Sequence, residues 1–311
     1  MAVEQWQQRI GTQRDWVWRG WQTRYCYLRP TQPPGQTPLI LLHGFGASVE
    51  HWRQNMPALC GDRGVYALDL LGFGASRKAI APYSAYLWAE QVYEFWQTFI
   101  GEPVVLVGNS LGSLVSLTAA AAYPDMARAI ALLNLPDVSL RQKALSPWLQ
   151  PIVNTVESWV GSPLAIKTLL RFLRRPATIR RWASLAYDNP DTITEELVAI
   201  LSRPAYDDEA GDTFYSLFQS VRRPQFSPPA QGVLPTLDIP ILLGWGRQDR
   251  MVPFNLSRAF IGLNPNLEFV AFEGAGHCPH DECPELFNRI FLEWLARTVE
   301  AQSLLQPLAE G

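Results

Sequence analysis

Residues 103–123 read PVVLVGNSLGSLVSLTAAAAY, and this stretch decides the fold. Its apolar, β-branched beginning predicts a buried strand, and its Leu-, Val- and Ala-rich end predicts a buried helix. Between them lies Gly108-Asn109-Ser110-Leu111-Gly112, a G-x-S-x-G pattern. Glycines on both sides of the serine let strand and helix approach closely, so the serine sits in a strained turn with its hydroxyl exposed. We predict that Ser110 is a nucleophile; the alternative is a glycine-rich turn that carries a serine by accident.

Strands and helices alternate on both sides of this turn. The apolar runs that predict strands are residues 38–42, 65–70, 104–107, 129–135, 240–246 and 267–272. Alternation of this kind indicates βαβ units, and hence a mostly parallel sheet with helices on both faces. Aromatic residues at period two on either side of Gly20 predict two further strands that pair antiparallel.

The alternation stops over residues 136–237, where prolines and glycines separate several predicted short helices. Because strands resume at residue 240, we interpret this all-helical block as a lid inserted into one α/β core. The predicted organisation is a loose leader at 1–14, a core at 15–135 and 238–302, the lid at 136–237 and a tail at 303–311.

The composition narrows the function classes. Of 311 residues 48% are hydrophobic and only 18% are charged, which leaves room for an apolar cavity. The net charge of −3 gives no reason to expect a nucleic-acid partner. The four cysteines have neither metal-site spacing nor a disulfide pattern, so we expect no metal and no cofactor. The first residues lack a signal peptide, so we expect an intracellular protein, soluble or peripherally bound to a membrane, and not a secreted one.

A serine nucleophile requires a base, and the chain has four histidines. His277 follows the last predicted strand in a Gly-flanked loop, from which it can reach Ser110, so we predict that it is the base. His280 is the alternative, although a helix-capping role explains it more simply. His43 is predicted to be structural in its HGFG turn, and His51 to begin a surface helix.

The base requires an orienting acid from the end of another strand. Asp249 follows the strand after the insertion and precedes His277. The resulting chain order Ser, Asp, His is the one found where the nucleophile lies in a G-x-S-x-G turn between a strand and a helix. Asp137, at the end of the strand before the lid, is the rival acid. Asp249 also has a simpler interpretation, as a loop partner of Arg247 or Arg250.

Backbone amides are predicted to form the oxyanion hole, because donors aimed at a developing negative charge lower the barrier. We assign the amide of Leu111, directly after the nucleophile, and that of Phe45 in the HGFG turn. Trp148, Trp159 and Phe218 in the lid are predicted to bind substrate in an apolar pocket, although lid aromatic residues also serve as core.

With these motifs placed, the chain resembles an α/β-hydrolase from about Trp16 to Ala301. The segments LLHGFGAS, ALDLLGFGAS, LVGNSLGS and GAGHCPHDECPE are similar to those of the pheophytinase and chlorophyll dephytylase group of plants and cyanobacteria. This resemblance implies a serine esterase that hydrolyses the phytyl ester of a chlorophyll-type pigment through an acyl-enzyme. It carries the triad over to Ser110, Asp249 and His277, and implies a thylakoid surface as the location.

The same motifs are compatible with three other functions. C–C bond hydrolases of ring-fission products share the GNS sequence and a similar acid loop, and a general carboxylesterase has the same triad. A protein of another class, a receptor-like α/β-hydrolase that binds a ligand with little turnover, is the third alternative. Dehalogenases and epoxide hydrolases of this superfamily use an aspartate where this chain has Ser110.

The lid sequence is electrically polarised. Residues 167–182 hold six basic side chains and no acidic one, interleaved with leucine and phenylalanine. A basic amphipathic helix of this kind can lie on an anionic membrane surface, so peripheral membrane contact is one interpretation. The other is a lid helix that packs its leucines on the core and keeps its arginines in water.

Overall fold

The computed structural model describes residues 5–30, 35–137 and 163–301. The strands of these residues are β1 Thr12–Trp18, β2 Trp21–Leu28, β3 Leu39–Leu42, β4 Val65–Leu68, β5 Val104–Asn109, β6 Ala127–Leu133, β7 Ile241–Gly246 and β8 Leu267–Phe272. They form one eight-stranded sheet in the order β1-β2-β4-β3-β5-β6-β7-β8.

The sheet is parallel except at one edge. β1 pairs antiparallel with β2, and β2 antiparallel with β4, whereas all other neighbours are parallel. Arg19 and Gly20 connect β1 to β2 with φ angles of 50° and 86°. A two-residue turn with both φ angles positive matches the right-handed twist of paired strands. The predicted mostly parallel sheet and the predicted antiparallel pair are both confirmed.

Helices cover both faces of this sheet. Their bounds are α1 Gln5–Arg9, α2 Met56–Cys60, α3 Ala85–Phe99, α4 Leu111–Ala122, α5 Pro163–Leu173, α6 Pro176–Ala186, α7 Glu195–Ser202, α8 Ala210–Val221, α9 Ala230–Val233, α10 Pro279–Glu282 and α11 Pro284–Leu295. Ser84 caps the N-terminus of α3, because its hydroxyl accepts from the Leu87 amide at 3.1 Å. α5 to α9 lie between β6 and β7, and the described part of 136–237 contains no strand. Between β7 and β8 lies a 3₁₀ segment, Phe254–Ala259.

Two hydrophobic cores lie on opposite faces of the sheet because successive side chains of a strand alternate. Ile40 and Leu42 of β3 pack into the core that contains the buried aromatic residues of α3. Leu39 and Leu41 pack into the core beneath α2 and α11. Both faces of the central strands are buried, which explains their uninterrupted apolar sequences.

The N-terminal segment differs from the prediction of a loose leader at 1–14. α1 occupies residues 5–9, Ile10 is fully buried, and β1 already begins at Thr12. The Arg9 guanidinium pairs with Glu196 of α7 at 2.8 Å. The polar composition of the segment gave no sign of this packing, which rests on Ile10, on the polar contacts of Arg9 and on the pairing of β1 with β2.

The serine turn is formed as the glycine pattern predicts. Ser110 has φ 54° and ψ −113°, a strained conformation, between the end of β5 and the first residue of α4. A Cβ on Gly112 would lie 2.1 Å from the Leu42 carbonyl oxygen, and one on Gly108 would lie 2.2 Å from the carbonyl carbon of Gly112. The helix therefore touches the backbone of the sheet, and only glycine fits at both positions.

We expect the Gly112→Ala substitution to lower the free energy of unfolding by roughly 3 kcal/mol or more, because backbone atoms cannot move away as a side chain would. Gly232→Ala is the matched control, since its Cβ would meet nothing closer than Pro229 Cγ at 3.6 Å. This control should be neutral or stabilise α9 by up to about 1 kcal/mol. Urea unfolding measures both, and equal effects would contradict the close approach.

Candidate active site

Three strands of the sheet deliver the predicted catalytic side chains to one edge. Ser110 follows β5, Asp249 follows β7 and His277 follows β8. The carboxyl ends of parallel strands meet at the same edge of a sheet, so the three residues converge there although they are far apart in sequence.

His277 and Asp249 form a direct hydrogen bond, with 2.8 Å between Nδ1 and Oδ2. The Asp249 side chain is fully buried. Its Oδ1 accepts from the amides of Met251 and Val252 at 2.7 and 2.9 Å. These bonds fix the direction of the carboxylate, and because Nδ1 of the imidazole faces it, Nε2 is the nitrogen available to a serine hydroxyl.

Asn134 is a further partner of this carboxylate, and no sequence motif predicted it. Its Nδ2 donates to Asp249 Oδ2 at 2.6 Å. Asn134 lies directly after β6 with φ 50°. Asparagine tolerates this left-handed conformation better than most residues. An asparagine between a buried strand and Pro136 was the only available signal, and it does not indicate which carboxylate is bound.

The backbone of His277 is held from two directions. Its amide donates to the Ala186 carbonyl of the lid at 2.5 Å. Its carbonyl accepts from Nδ2 of Asn109 at 2.9 Å. Asn109 is the second residue of the G-x-S-x-G pattern, so the residue beside the predicted nucleophile also fixes the loop of the predicted base.

Ser110 and His277 line the same cavity, which has a volume of about 450 Å³. Its described walls are mainly apolar, and no aspartate or glutamate is among them. The lid contributes Leu170, Leu173, Ile179, Trp182, Phe214 and Leu217. A nucleophile and a base that share an apolar cavity can act on the carbonyl of a hydrophobic substrate.

The two amides predicted to form the oxyanion hole lie next to this cavity. Leu111 is the first residue of α4, and Phe45 lies between Gly44 and Gly46 in the turn after β3. The hydrogen bonds of the described residues include none donated by either amide. Both N–H groups are therefore available to a ligand, and the Leu111 amide has the additional favourable field of a helix N-terminus.

Only one of the three residues predicted to bind substrate lies within the described part of the chain. Trp148 and Trp159 lie outside the described residues. Phe218 is not among the described residues that line the cavity; its ring lies beneath the Arg222 guanidinium, 6.0 Å from it. Its neighbours Phe214 and Leu217 line the cavity instead, because on α8 they face the core while Phe218 faces away.

The rival acid and the structural histidine are both accounted for. Asp137 is buried and accepts from the Gln231 amide at 3.2 Å, whereas His277 is bound by Asp249. His43 is fully buried, its Nδ1 bonds the Gly44 carbonyl at 2.7 Å, and its Nε2 accepts from the Leu70 amide at 3.1 Å. The structural role predicted for His43 is confirmed.

The predictions for two other histidines are wrong. His51 does not begin a surface helix; it is buried, and its Nε2 lies 2.7 Å from the Tyr187 hydroxyl. His280 does not cap a helix, because it lies inside α10, fully buried, with its ring 4.2 Å from that of Trp52. Burial lowers the pKa of His51 to about 4 and that of His280 well below its ordinary value.

A family model for the alpha/beta hydrolase fold matches residues 37–284. The match covers most of the chain and includes the turn of Ser110, the loop of Asp249 and the loop of His277. The protein belongs to the alpha/beta hydrolase fold family.

Among curated relatives, the chloroplastic pheophytinase of Arabidopsis thaliana is 26% identical over 88% of this chain and 64% of its own length. The chain thus spans less than two thirds of that relative. The human protein named 1-acylglycerol-3-phosphate O-acyltransferase ABHD5 is also 26% identical, over 82% of this chain and 76% of its own length.

Solved structures share the fold at lower identity. The epoxide hydrolase CorEH superimposes with a TM-score of 0.76 at 21% identity, over 92% of this chain and 98% of its own. The meta-cleavage product hydrolase CumD of Pseudomonas fluorescens superimposes with a TM-score of 0.70 at 21% identity, over 93% and 98% of the two chains. These likenesses concern the fold, which hosts different chemistries.

Over residues 5–30, 35–137 and 163–301, no helix has the length and apolar content needed to cross a membrane. In the same ranges, no three His, Cys, Asp or Glu side chains lie close enough together to hold a metal ion.

We expect the His280→Leu substitution to stabilise the protein, and to do so more at low pH. Both ring nitrogens of His280 lack a protein partner within the described residues. Because burial lowers the pKa of His280, the unfolded chain binds a proton below pH 6.5 that the folded chain does not, so stability is lost as the pH falls. The gain from leucine should be about 2 kcal/mol larger at pH 5 than at pH 8, measured by urea unfolding. An equal gain at both pH values would contradict the neutral buried imidazole.

Proposed function

We propose that this protein is a serine hydrolase of carboxylic esters, and that its substrate is the phytyl ester of a chlorophyll-type pigment. The observation that carries the reaction type is the 2.8 Å pair of His277 and Asp249, at the rim of the apolar cavity that Ser110 also lines. The observation that favours the pigment is the similarity to pheophytinase over 88% of this chain.

In the proposed mechanism Ser110 Oγ attacks the ester carbonyl and His277 Nε2 takes its proton. Asp249 keeps the imidazole in the required tautomer, since its carboxylate accepts from Nδ1, and it stabilises the imidazolium that forms. The strained backbone of Ser110 holds the hydroxyl clear of the sheet, so attack requires no rearrangement of the turn.

Negative charge then develops on the carbonyl oxygen. The amides of Leu111 and Phe45 are assigned as its donors, and removing one donor of such a pair typically costs roughly 10²–10³ in rate. The imidazolium returns its proton to the leaving alcohol, which departs as phytol. A water molecule, activated by the same imidazole, releases the acid from Ser110 and restores the enzyme.

The apolar cavity and the exposed aromatic rings beside it support a substrate with a long apolar chain and a flat ring system. The apolar walls suit the phytyl chain. Phe45 is 50% exposed and Trp182 is 36% exposed, and both line the cavity. Exposed aromatic rings at the mouth offer stacking surfaces to a macrocycle that the cavity does not enclose.

We expect Ser110→Ala to abolish the release of phytol from pheophytin and chlorophyll, by at least about 10⁴-fold, with an unchanged circular dichroism spectrum. Asp249→Asn should also lose roughly 10⁴-fold, whereas the matched control Asp137→Asn should keep near-normal activity because Asp137 does not bind His277. Chromatography of the products measures all three variants.

The same experiment separates the alternatives. A p-nitrophenyl ester and a ring-fission diketo acid are incubated beside the pigments, and a fluorophosphonate probe tests whether Ser110 is reactive. Turnover of the simple ester alone would leave a general esterase, turnover of the diketo acid would favour a C–C bond hydrolase, and a protein that the probe does not label would be a ligand binder.

We also propose that the lid contacts an anionic membrane surface, from which a greasy ester would be taken up. Arg171, Arg175 and Arg181 are exposed on α5, the α5–α6 connection and α6, and none makes an ion pair within the described residues. Phe172 is 53% exposed beside Arg175, whose guanidinium lies 5.5 Å from its ring. Cations around exposed aromatic rings favour the interface of an anionic bilayer.

Replacing Arg171, Arg175 and Arg181 together by glutamine should weaken binding to phosphatidylglycerol-containing vesicles about 100-fold, at roughly 1 kcal/mol per arginine. A matched triple variant of the exposed Arg14, Arg258 and Arg289 controls for net charge. Co-sedimentation at low and high salt measures both variants. Equal weakening by both, or no binding of the unaltered protein, would contradict this surface.

A further inference from the structure

The loop that carries His277 is in direct backbone contact with the lid. We define the histidine loop as residues 274–283 and the lid corner as residues 186–189, at the end of α6. A Cβ on Gly276 would lie 2.1 Å from the Ala186 carbonyl oxygen, so the two backbones are in contact. On the opposite side, a Cβ on Gly246 at the end of β7 would lie 1.8 Å from the Gly276 carbonyl oxygen. The histidine loop is therefore enclosed between the sheet and the lid corner.

One carboxylate joins these two segments. Glu282 Oε2 accepts from the Gly276 amide at 2.6 Å, directly before His277. Its Oε1 accepts from the amides of Asp188 and Asn189, both at 2.6 Å. Three backbone donors from two segments thus converge on one side chain that is only 8% exposed.

The position of Glu282 makes these bonds costly to replace. Burial raises the pKa of its carboxyl above the ordinary value, and the three amides oppose that rise by favouring the charged form. A buried amide that loses its acceptor costs about 1–3 kcal/mol. Loss of the Glu282 carboxylate would therefore weaken the attachment of the histidine loop to the lid corner, although the His277 amide also donates to the Ala186 carbonyl there.

Neighbouring contacts hold the same corner without touching the histidine backbone. The Tyr187 hydroxyl donates to Asp281 at 2.6 Å, and Asp281 also pairs with Arg53 at 2.7 Å. Arg250 pairs with Asp188 at 2.7 Å and donates to the Ser184 carbonyl at 3.1 Å. Removal of Arg250 would therefore loosen the lid corner but leave the Gly276 amide bound.

We propose that Glu282 is a positioning residue, which places the His277 imidazole for proton transfer by binding the histidine loop to the lid corner. This inference rests on the proposed serine hydrolase function, but not on the identity of its substrate. It implies that the lid corner stays closed during turnover, so that substrate reaches the cavity past another part of the lid.

The test compares Glu282→Gln with the matched control Arg250→Gln on a p-nitrophenyl ester. Glutamine keeps the shape but replaces one acceptor oxygen by a donor, which faces an N–H group. We expect kcat to fall roughly 10–100-fold with KM nearly unchanged, and fluorophosphonate labelling of Ser110 to slow by the same factor. Arg250→Gln should leave kcat within about two-fold, since it loosens the lid without moving the loop.

A double-mutant cycle with His277→Ala separates positioning from general disruption of the site. If Glu282 acts through the imidazole, Glu282→Gln should not lower the residual activity of His277→Ala. A further loss in that background would overturn the proposal. Glu282→Ala provides a second variant, and thermal unfolding must show that each variant is folded at the assay temperature.

The outcomes also distinguish the two proposals. An unaltered protein whose Ser110 does not react with the fluorophosphonate overturns both the serine hydrolase and the positioning role. Normal labelling and normal kcat in Glu282→Gln, with a labelled unaltered protein, overturn only the positioning role. A rise in KM without a fall in kcat would also overturn only the positioning role.

Discussion

The structure depends on the close approach of α4 to the sheet. Gly112 lies against the Leu42 carbonyl and Gly108 against Gly112, at distances that exclude any side chain. This contact accompanies the strained backbone of Ser110 and places the N-terminus of α4 directly after that serine. The hydroxyl, the helix N-terminus and the turn of Phe45 share one edge because two glycines allow backbone to meet backbone there.

A second constraint is polar and buried. Asp249 accepts from His277, Asn134 and two backbone amides, and Glu282 accepts from three amides of the histidine loop and the lid corner. Buried carboxylates persist only with several donors. The first network therefore fixes the direction of the Asp249 carboxylate, and the second joins the backbone of the histidine loop to that of the lid corner.

The lid is thus part of the site and not only its cover. At the corner of residues 186–189 it contacts the backbone of His277 and donates to Glu282. Farther away, α5 and α8 contribute mainly apolar side chains to the cavity wall, with Thr213 of α8 as a polar one. The lid therefore contacts the loop of His277 through backbone and polar groups, and the cavity mainly through apolar side chains.

The sequence by itself determined the parallel sheet, the serine turn and the order of Ser110, Asp249 and His277, because these depend on local patterns and on chain order. It did not determine that His51 and His280 are buried, or that Asn134 and Glu282 bind the acid and the histidine loop. These contacts join segments that are far apart in the chain. The identity of a polar residue does not show whether its partner is water or a buried amide. Only the tertiary structure, which brings the ends of β6, β7 and β8 to the lid corner, decides which partner it has.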